Sequence, residues 1–263
     1  MALTITSGGF SRMKNLKWDD GDIRGKIKNR WIARNSRLRV RIAQRTALPM
    51  RGWLLGCEGG SPWVLSRTKR ITDSVFATLM VLASMPCWLL VMLVIKLEGP
   101  GPLFFYQSRT GILGRRFRMI KFRTMVPDAE LRKSELLHLN HHEPDSPDFK
   151  IIADPRVTRV GRFLRRYSLD ELPNLINVIK GDMRLVGPRP TSFAATTYQD
   201  WHLKRLAAPP GITGLWQING RCEIGFDQRV ELDTEYIDRQ SPWLDIKILL
   251  LTPMRVLDGK GAY

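Results

Sequence analysis

Residues 74–95 read SVFATLMVLASMPCWLLVMLVI, a run without a single charge. As a straight helix it would reach about 33 Å, enough for a hydrocarbon core of roughly 30 Å. So long an uncharged stretch is unusual in a soluble core, and it predicts a membrane helix. Pro86 falls near its middle, where it deletes a backbone donor and crowds the preceding turn. Each arm would be about 11 residues, too short to span. Basic residues flank both ends: Arg67, Lys69 and Arg70 before it, Arg109, Arg115, Arg116, Arg118, Lys121 and Arg123 after it. The positive-inside tendency keeps both flanks on the cytoplasmic side. A re-entrant helix hairpin over residues 67–98, kinked at Pro86, satisfies both facts, and a kinked span is the alternative. Carbonyls freed at the bend need partners. The Ser84 hydroxyl can bond back to the preceding turn and favour the bend.

Upstream, residues 1–66 form a basic extension. The first 70 residues hold sixteen Lys/Arg against four Asp/Glu, so most of the net charge of +17 is N-terminal. Such an excess predicts an anionic partner. Beside an apolar segment, anionic membrane lipid is favoured over nucleic acid, for which no motif is present. Within residues 26–45, Ile27, Trp31, Leu38 and Ile42 share a helical face among Lys and Arg. That suits a helix lying on lipid; a partly disordered basic tail is the other reading. The first 20 residues lack the apolar region of a cleavable signal peptide. Cys57, Cys87 and Cys222 are scattered, without disulfide or metal spacing. His138, His141 and His142 have a helical spacing, but no nearby cysteine completes a metal site.

Downstream, residues 99–263 predict a small cytoplasmic α/β domain, mostly α. Leu103 to Tyr106 reads as a short strand or an interfacial aromatic patch, and Phe117 to Phe122 as a half-buried strand. Residues 127–148 read as a short helix and a loop. Leu172, Leu175, Ile176 and Ile179 mark a helix stopped by Gly181. Pro209-Pro210-Gly211 reads as a turn. Leu244 to Leu257 reads as an apolar amphipathic helix interrupted at Pro253, against either membrane or core.

The chemistry concentrates in Ser168-Leu169-Asp170-Glu171. A capping box, with Ser168 at the N-cap and Glu171 three residues on, is one reading. Pro173 weakens it, because it would fall inside that helix and cost a hydrogen bond. With the helix starting later, the proline falls in the first turn and two adjacent carboxylates stand at its start. One carboxylate can then attack phosphorus while its neighbour holds a divalent cation. Arg159, Arg162, Arg165 and Arg166 lie just upstream at near-helical spacing. Val186-Gly187-Pro188-Arg189-Pro190 presents one guanidinium from a stiff loop, a geometry suited to paired phosphate oxygens.

Three segments, KFRTM (121–125), DPRVTRVGRFLRRYSLDELPNLINVIKGDMRLVGPRP (154–190) and PGITGLWQINGR (210–221), closely resemble the bacterial sugar transferase family. These are the monotopic polyprenyl-phosphate hexose-1-phosphate transferases. The resemblance runs from about Arg67 to Tyr263. It implies a re-entrant membrane helix and an Asp170–Glu171 catalytic dyad. The aspartate would attack the β-phosphate of a UDP-sugar, UMP would leave, and polyprenyl (undecaprenyl) phosphate would accept the sugar-phosphate. Glu171 would help bind Mg²⁺, with Asp182 of the Gly-Asp-Met segment a second metal candidate. Arg189 matches the family's phosphate-binding arginine, and Arg165, Lys121, Arg123 and Arg221 resemble further anion-binding positions. The resemblance places the chain on the cytoplasmic face of a bacterial inner membrane, in the first membrane step of exopolysaccharide, capsule, O-antigen or glycoconjugate assembly. It allows a homo-oligomer. One departure is Met85, where small family members often carry serine directly before the membrane proline; here Ser84 is one position earlier. A non-catalytic membrane scaffold of a polysaccharide assembly complex, with the dyad serving as helix caps, is the reading that competes.

Overall fold

The structure is a computed structural model that describes residues 63–133, 135–136, 151, 153–219 and 225–257. Arg221, the basic extension up to residue 62 with its 26–45 segment, His138, His141, His142, Cys57 and Cys222 lie outside the described residues.

The uncharged run forms the core of one long helix, α1 (Arg67–Glu98). Ser66 caps its start, its side chain accepting from the Lys69 N–H at 3.1 Å. The helix is a single element through Pro86, so the hairpin break predicted there is not seen. The Ser84 hydroxyl donates to the Met80 carbonyl at 2.6 Å, the back-bond expected one turn earlier. Only 17% of its most apolar 18-residue window is buried, so a soluble core helix does not describe it. Its covered stripe runs from Lys69, Asp73 and Ala77 to Trp88, Val91 and Ile95, while Phe76, Leu79, Leu82, Leu90 and Leu93 are exposed.

The far half of α1 packs on an antiparallel hairpin of β1 (Phe104–Thr110) and β2 (Arg116–Phe122), paired from Phe104 with Phe122 to Thr110 with Arg116. Both predicted strands therefore form. Trp88 meets Phe122 edge-on at 5.4 Å between centroids, and Phe104 stacks on Phe122 at the same spacing. Of the helix expected in 127–148, the described part holds one 3₁₀ turn, Leu131–Lys133.

Next come α2 (Arg159–Arg166) and α3 (Asn174–Lys180). Gly161 brings the first turn of α2 against the Thr124 carbonyl; a Cβ there would lie 2.0 Å from that oxygen. The helix predicted around Leu175 ends where expected, on Gly181 in the left-handed region (φ 91°), whose N–H bonds the Asn177 and Val178 carbonyls. A parallel pair follows, β3 (Arg184–Val186) with β4 (Gly211–Thr213). The Pro209-Pro210-Gly211 run is not a turn, because its backbone is used in pairing. The Arg184 N–H donates to the Pro210 carbonyl at 2.7 Å, and the Gly211 N–H donates to the Pro188 carbonyl at 2.9 Å.

Three helices complete the domain: α4 (Leu215–Asn219), α5 (Phe226–Arg239) and α6 (Pro242–Leu257). Helix α6 is not interrupted at Pro253; Thr252 Oγ1 donates to the Ile248 carbonyl at 2.7 Å within the same turn. One face is core and the other is open. Ile248 is fully buried in the core, while Trp243, Leu250 and Met254 are exposed.

A buried polar cluster locks the start of α1 to α6. Lys69 Nζ lies 2.7 Å from Asp245 Oδ2 and 3.1 Å from Asp73 Oδ2. Asp245 also accepts from Trp63 Nε1 at 2.7 Å and from the Tyr236 hydroxyl at 2.8 Å. Removing one partner strands a buried charge. Asp245→Asn should cost about 3 kcal/mol of stability, slightly under a full buried-pair loss because Asp73 remains. Thermal unfolding of the detergent-solubilised protein tests this, and an unchanged midpoint would remove the lock.

Candidate active site

The dyad sits on a single 3₁₀ turn, Leu169–Glu171, between α2 and α3. Ser168 enters it in the left-handed region (φ 55°) and makes no side-chain cap hydrogen bond. The capping box is therefore absent; Pro173 stands at the N-cap of α3, one position before the first turn in which a later start would have placed it. Freed from capping, Glu171 turns to two cations. Lys121 Nζ on β2 lies 2.6 Å from Glu171 Oε1. Arg189 makes a forked contact, Nη1 to Oε2 at 3.1 Å and Nη2 to Oε1.

Asp170 is treated differently. It is buried at 7% exposure and accepts no hydrogen bond among the described residues; its nearest cation is Lys121 Nζ, 3.6 Å from Oδ2. Burial pushes its carboxyl above the ordinary range, Lys121 opposes this, and the Glu171 charge adds to it. Burial acts on Glu171 in the same sense. There, however, the charges and hydrogen bonds of Arg189 and Lys121 prevail and hold it well below the usual carboxylate range. Two adjacent carboxylates are thus driven apart. One is a fixed counter-anion, and the other keeps its lone pairs.

Arg165 on α2 is anchored by Nε to Thr124 Oγ1 at 2.9 Å, and its charge favours ionised Asp170. Lys121, Arg165 and Arg189, expected as anion-binding positions, are therefore gathered around the dyad. Arg123 has another job. Its guanidinium binds the carbonyls of Ile95, Gly99 and Pro100 at 3.1, 2.9 and 2.7 Å, closing the C-terminus of α1. Asp182 is exposed on the turn after α3, where Asn177 Nδ2 reaches it at 3.4 Å. No contact joins it to the dyad among the described residues.

A shallow cavity of about 230 Å³, counted out to open solvent, adjoins Glu171 and Arg189 and is also lined by Asn174 and Arg109. Asn174 is 1% exposed and its Oδ1 has no hydrogen-bond partner among the described residues. Nothing in its sequence surroundings marked it. Arg109 was legible only as a topology charge. Among the described residues, no group of three or more His, Cys, Asp or Glu is gathered as a metal site. The donors present are two hard carboxylates. They fit an ion such as Mg²⁺, which needs only one or two of them when waters and substrate phosphates supply the rest.

The sequence profile described as "Bacterial sugar transferase" matches residues 64–259. The galactosyl transferase CpsE of Streptococcus agalactiae is 50% identical over 170 residues, covering 64% of this chain and 37% of that protein. The undecaprenyl-phosphate galactose phosphotransferase of Salmonella typhimurium is 41% identical over 201 residues, 74% of this chain and 41% of that protein. The chain thus spans well under half the length of these two relatives. It covers more of the exopolysaccharide production protein ExoY of Rhizobium meliloti, which is 37% identical over 198 residues, 74% of this chain and 88% of that protein. A profile match over most of its length makes this chain a member of the bacterial sugar transferase family.

Proposed function

We propose that the chain transfers a hexose-1-phosphate from a UDP-sugar to polyprenyl phosphate at a membrane surface, with Asp170 as nucleophile and UMP as leaving group. The observation that carries this is the contrast within the dyad. Asp170 is buried yet accepts no hydrogen bond among the described residues, and Glu171 beside it is held ionised by Lys121 and Arg189. In the first half-reaction an Asp170 oxygen bonds to the β-phosphorus and the bond from that phosphorus to the bridging oxygen breaks, releasing UMP. In the second, a phosphate oxygen of the lipid displaces Asp170 and yields the diphosphate-linked sugar. Lys121, Arg165 and Arg189 offset the charge of an anion approaching a carboxylate. Mg²⁺ would supply further charge neutralisation, and Glu171 would help hold it by giving up part of its contact with Lys121 or Arg189. Relatives named for galactose and glucose transfer support a UDP-hexose such as UDP-galactose or UDP-glucose.

The packing of α1 supports a re-entrant course. Its covered stripe follows the catalytic domain from Lys69 to Ile95. A full span would carry that domain's charged surface into hydrocarbon, at a cost far beyond helix insertion. With both ends beside the polar domain and the outer face apolar, the helix, unbroken at Pro86, would rest with its apolar face in the membrane and both ends on one side, the cytoplasmic face of the inner membrane.

The test supplies a panel of UDP-sugars with polyprenyl phosphate and measures the nucleotide released. UMP with one hexose donor is expected. Release of UDP would mean transfer of the sugar alone, and no nucleotide from any donor would end the proposal.

A further inference from the structure

Arg189 reaches the dyad from a loop with no regular structure, yet its backbone is pinned at three successive residues. The Gly187 N–H donates to the Thr213 carbonyl at 3.0 Å, and the Pro188 carbonyl accepts from Gly211 at 2.9 Å. The Arg189 carbonyl accepts from Arg205 Nη2 at 2.9 Å. The first two contacts tie the residues just past β3 to strand β4. The third is made by a side chain, and that side chain is itself held. The same Arg205 nitrogen donates to Asp233 Oδ2 at 2.5 Å, with Arg205 and Asp233 4% and 1% exposed.

Prolines 188 and 190 fix their own φ angles, and Pro190 restricts the residue before it. They confine the Arg189 peptide carbonyl to an extended range without fixing it within that range, and the residual freedom shifts the point from which the guanidinium emerges. Arg205 removes it. Its guanidinium also lies over the rings of Tyr198 and Phe226, at 6.0 and 5.6 Å, so it cannot readily shift. Tyr198 in turn pairs through its hydroxyl with Thr191, the residue after Pro190. Burying an arginine and an aspartate is a costly way to fill a core, and an apolar pair of equal volume is often as stable. The arrangement makes sense if the contact sets a geometry.

We infer that Arg205 and Asp233 are positioning residues for Arg189, acting on the reaction only by fixing its main chain. This rests on the reading of Arg189 as a phosphate-binding group. A pH signature follows from the same contacts. Burial pushes the Asp233 carboxyl up, Arg205 opposes it, and the balance stands at about 6. The charged groups facing it are Arg205 from the 3₁₀ helix Asp200–Ala207 and Arg229 on its own helix α5, with the Arg189 backbone also favouring the anion. Below that pH Asp233 takes up a proton and Arg205 loses its counter-ion. His202 and Asp227 form a second pair nearby, 3.1 Å apart, so only a variant can assign an acid limb.

The experiment compares UMP release from pH 5 to 8 for the full chain, Asp233→Asn, Arg189→Ala and the double variant. Asp233→Asn should lower kcat/KM at pH 7.5 by on the order of 10- to 100-fold, the scale of a misplaced binding group. It should also flatten the limb near pH 6. Added to Arg189→Ala, it should cost nothing further, and Arg189→Ala alone should lack the limb. An equal loss in both backgrounds would mean a merely structural role and overturn the inference. So would a wild-type rate and limb in Asp233→Asn. Wild-type activity in Arg189→Ala would instead overturn the phosphate-binding reading beneath it. Should Asp233→Asn not fold, Arg205→Lys, which keeps the charge but not the bridge, is run through the same cycle.

Discussion

Asp170→Asn should lower sugar-phosphate transfer by at least about 10³-fold, the scale of deleting a covalent nucleophile, and leave the protein folded and membrane-bound. The substitution is nearly isosteric. Asp170 accepts no hydrogen bond among the described residues, so the amide breaks none. The carboxyl is pushed above its ordinary value by burial. A raised carboxyl binds protons more tightly folded than unfolded, so its contribution to stability is present at low pH and lost as pH rises through the folded value. Where it ionises, the buried side chain is therefore a burden, and the asparagine variant should melt at an equal or higher temperature. Loss of activity with retained or gained stability marks a group kept for chemistry. UMP release, a melt, and mass spectrometry of enzyme held with donor alone check the three parts. Substantial residual transfer, or an adduct on another side chain, would remove Asp170 from the role.

The parts legible in the sequence were those set by local pattern. An uncharged run gives α1, a hydrophobic spacing closed by Gly181 gives α3, and alternation gives β2. The dyad was picked out by the family resemblance of its motif, while Pro173 only weakened the competing capping-box reading. What stayed hidden depends on partners distant in the chain. Arg123 looks like an anion-binding residue in KFRTM until the open carbonyls of α1 are seen to end beside it. Lys69 read as a topology charge, but its partner Asp245 is 176 residues away. Pro253 reads as a break, yet α6 runs through it with Ile248 fixed in the core. The Pro209-Pro210-Gly211 run has the composition of a turn and is drawn straight by pairing with β3. Asn174, Arg205 and Asp233 carry no local signal, since what matters about them is which cavity or backbone they reach.

Arg189→Lys should lower kcat/KM for the UDP-sugar by on the order of 100-fold, even though charge is conserved. The guanidinium meets both oxygens of Glu171, Nη1 on Oε2 at 3.1 Å and Nη2 on Oε1, while Lys121 shares Oε1 at 2.6 Å. An ammonium is a point donor and can satisfy one oxygen only. Two consequences follow. The fork that would close on a pair of phosphate oxygens is lost, which weakens the transition state. Glu171 also loses part of what holds its carboxyl low, so its pKa rises toward the ordinary value. A depressed carboxylate contributes stability that is present above its unfolded pKa and is lost as pH falls through the folded one. With the depression reduced, the lysine variant should begin to lose stability at a higher pH on acidification than the parent. Donor-concentration series at several pH values, paired with melts, separate the two effects. Arg189→Ala should be worse than lysine on both counts. A lysine variant with parental rates would show that charge alone suffices, and that the fork on Glu171 is an ion pair without a catalytic counterpart.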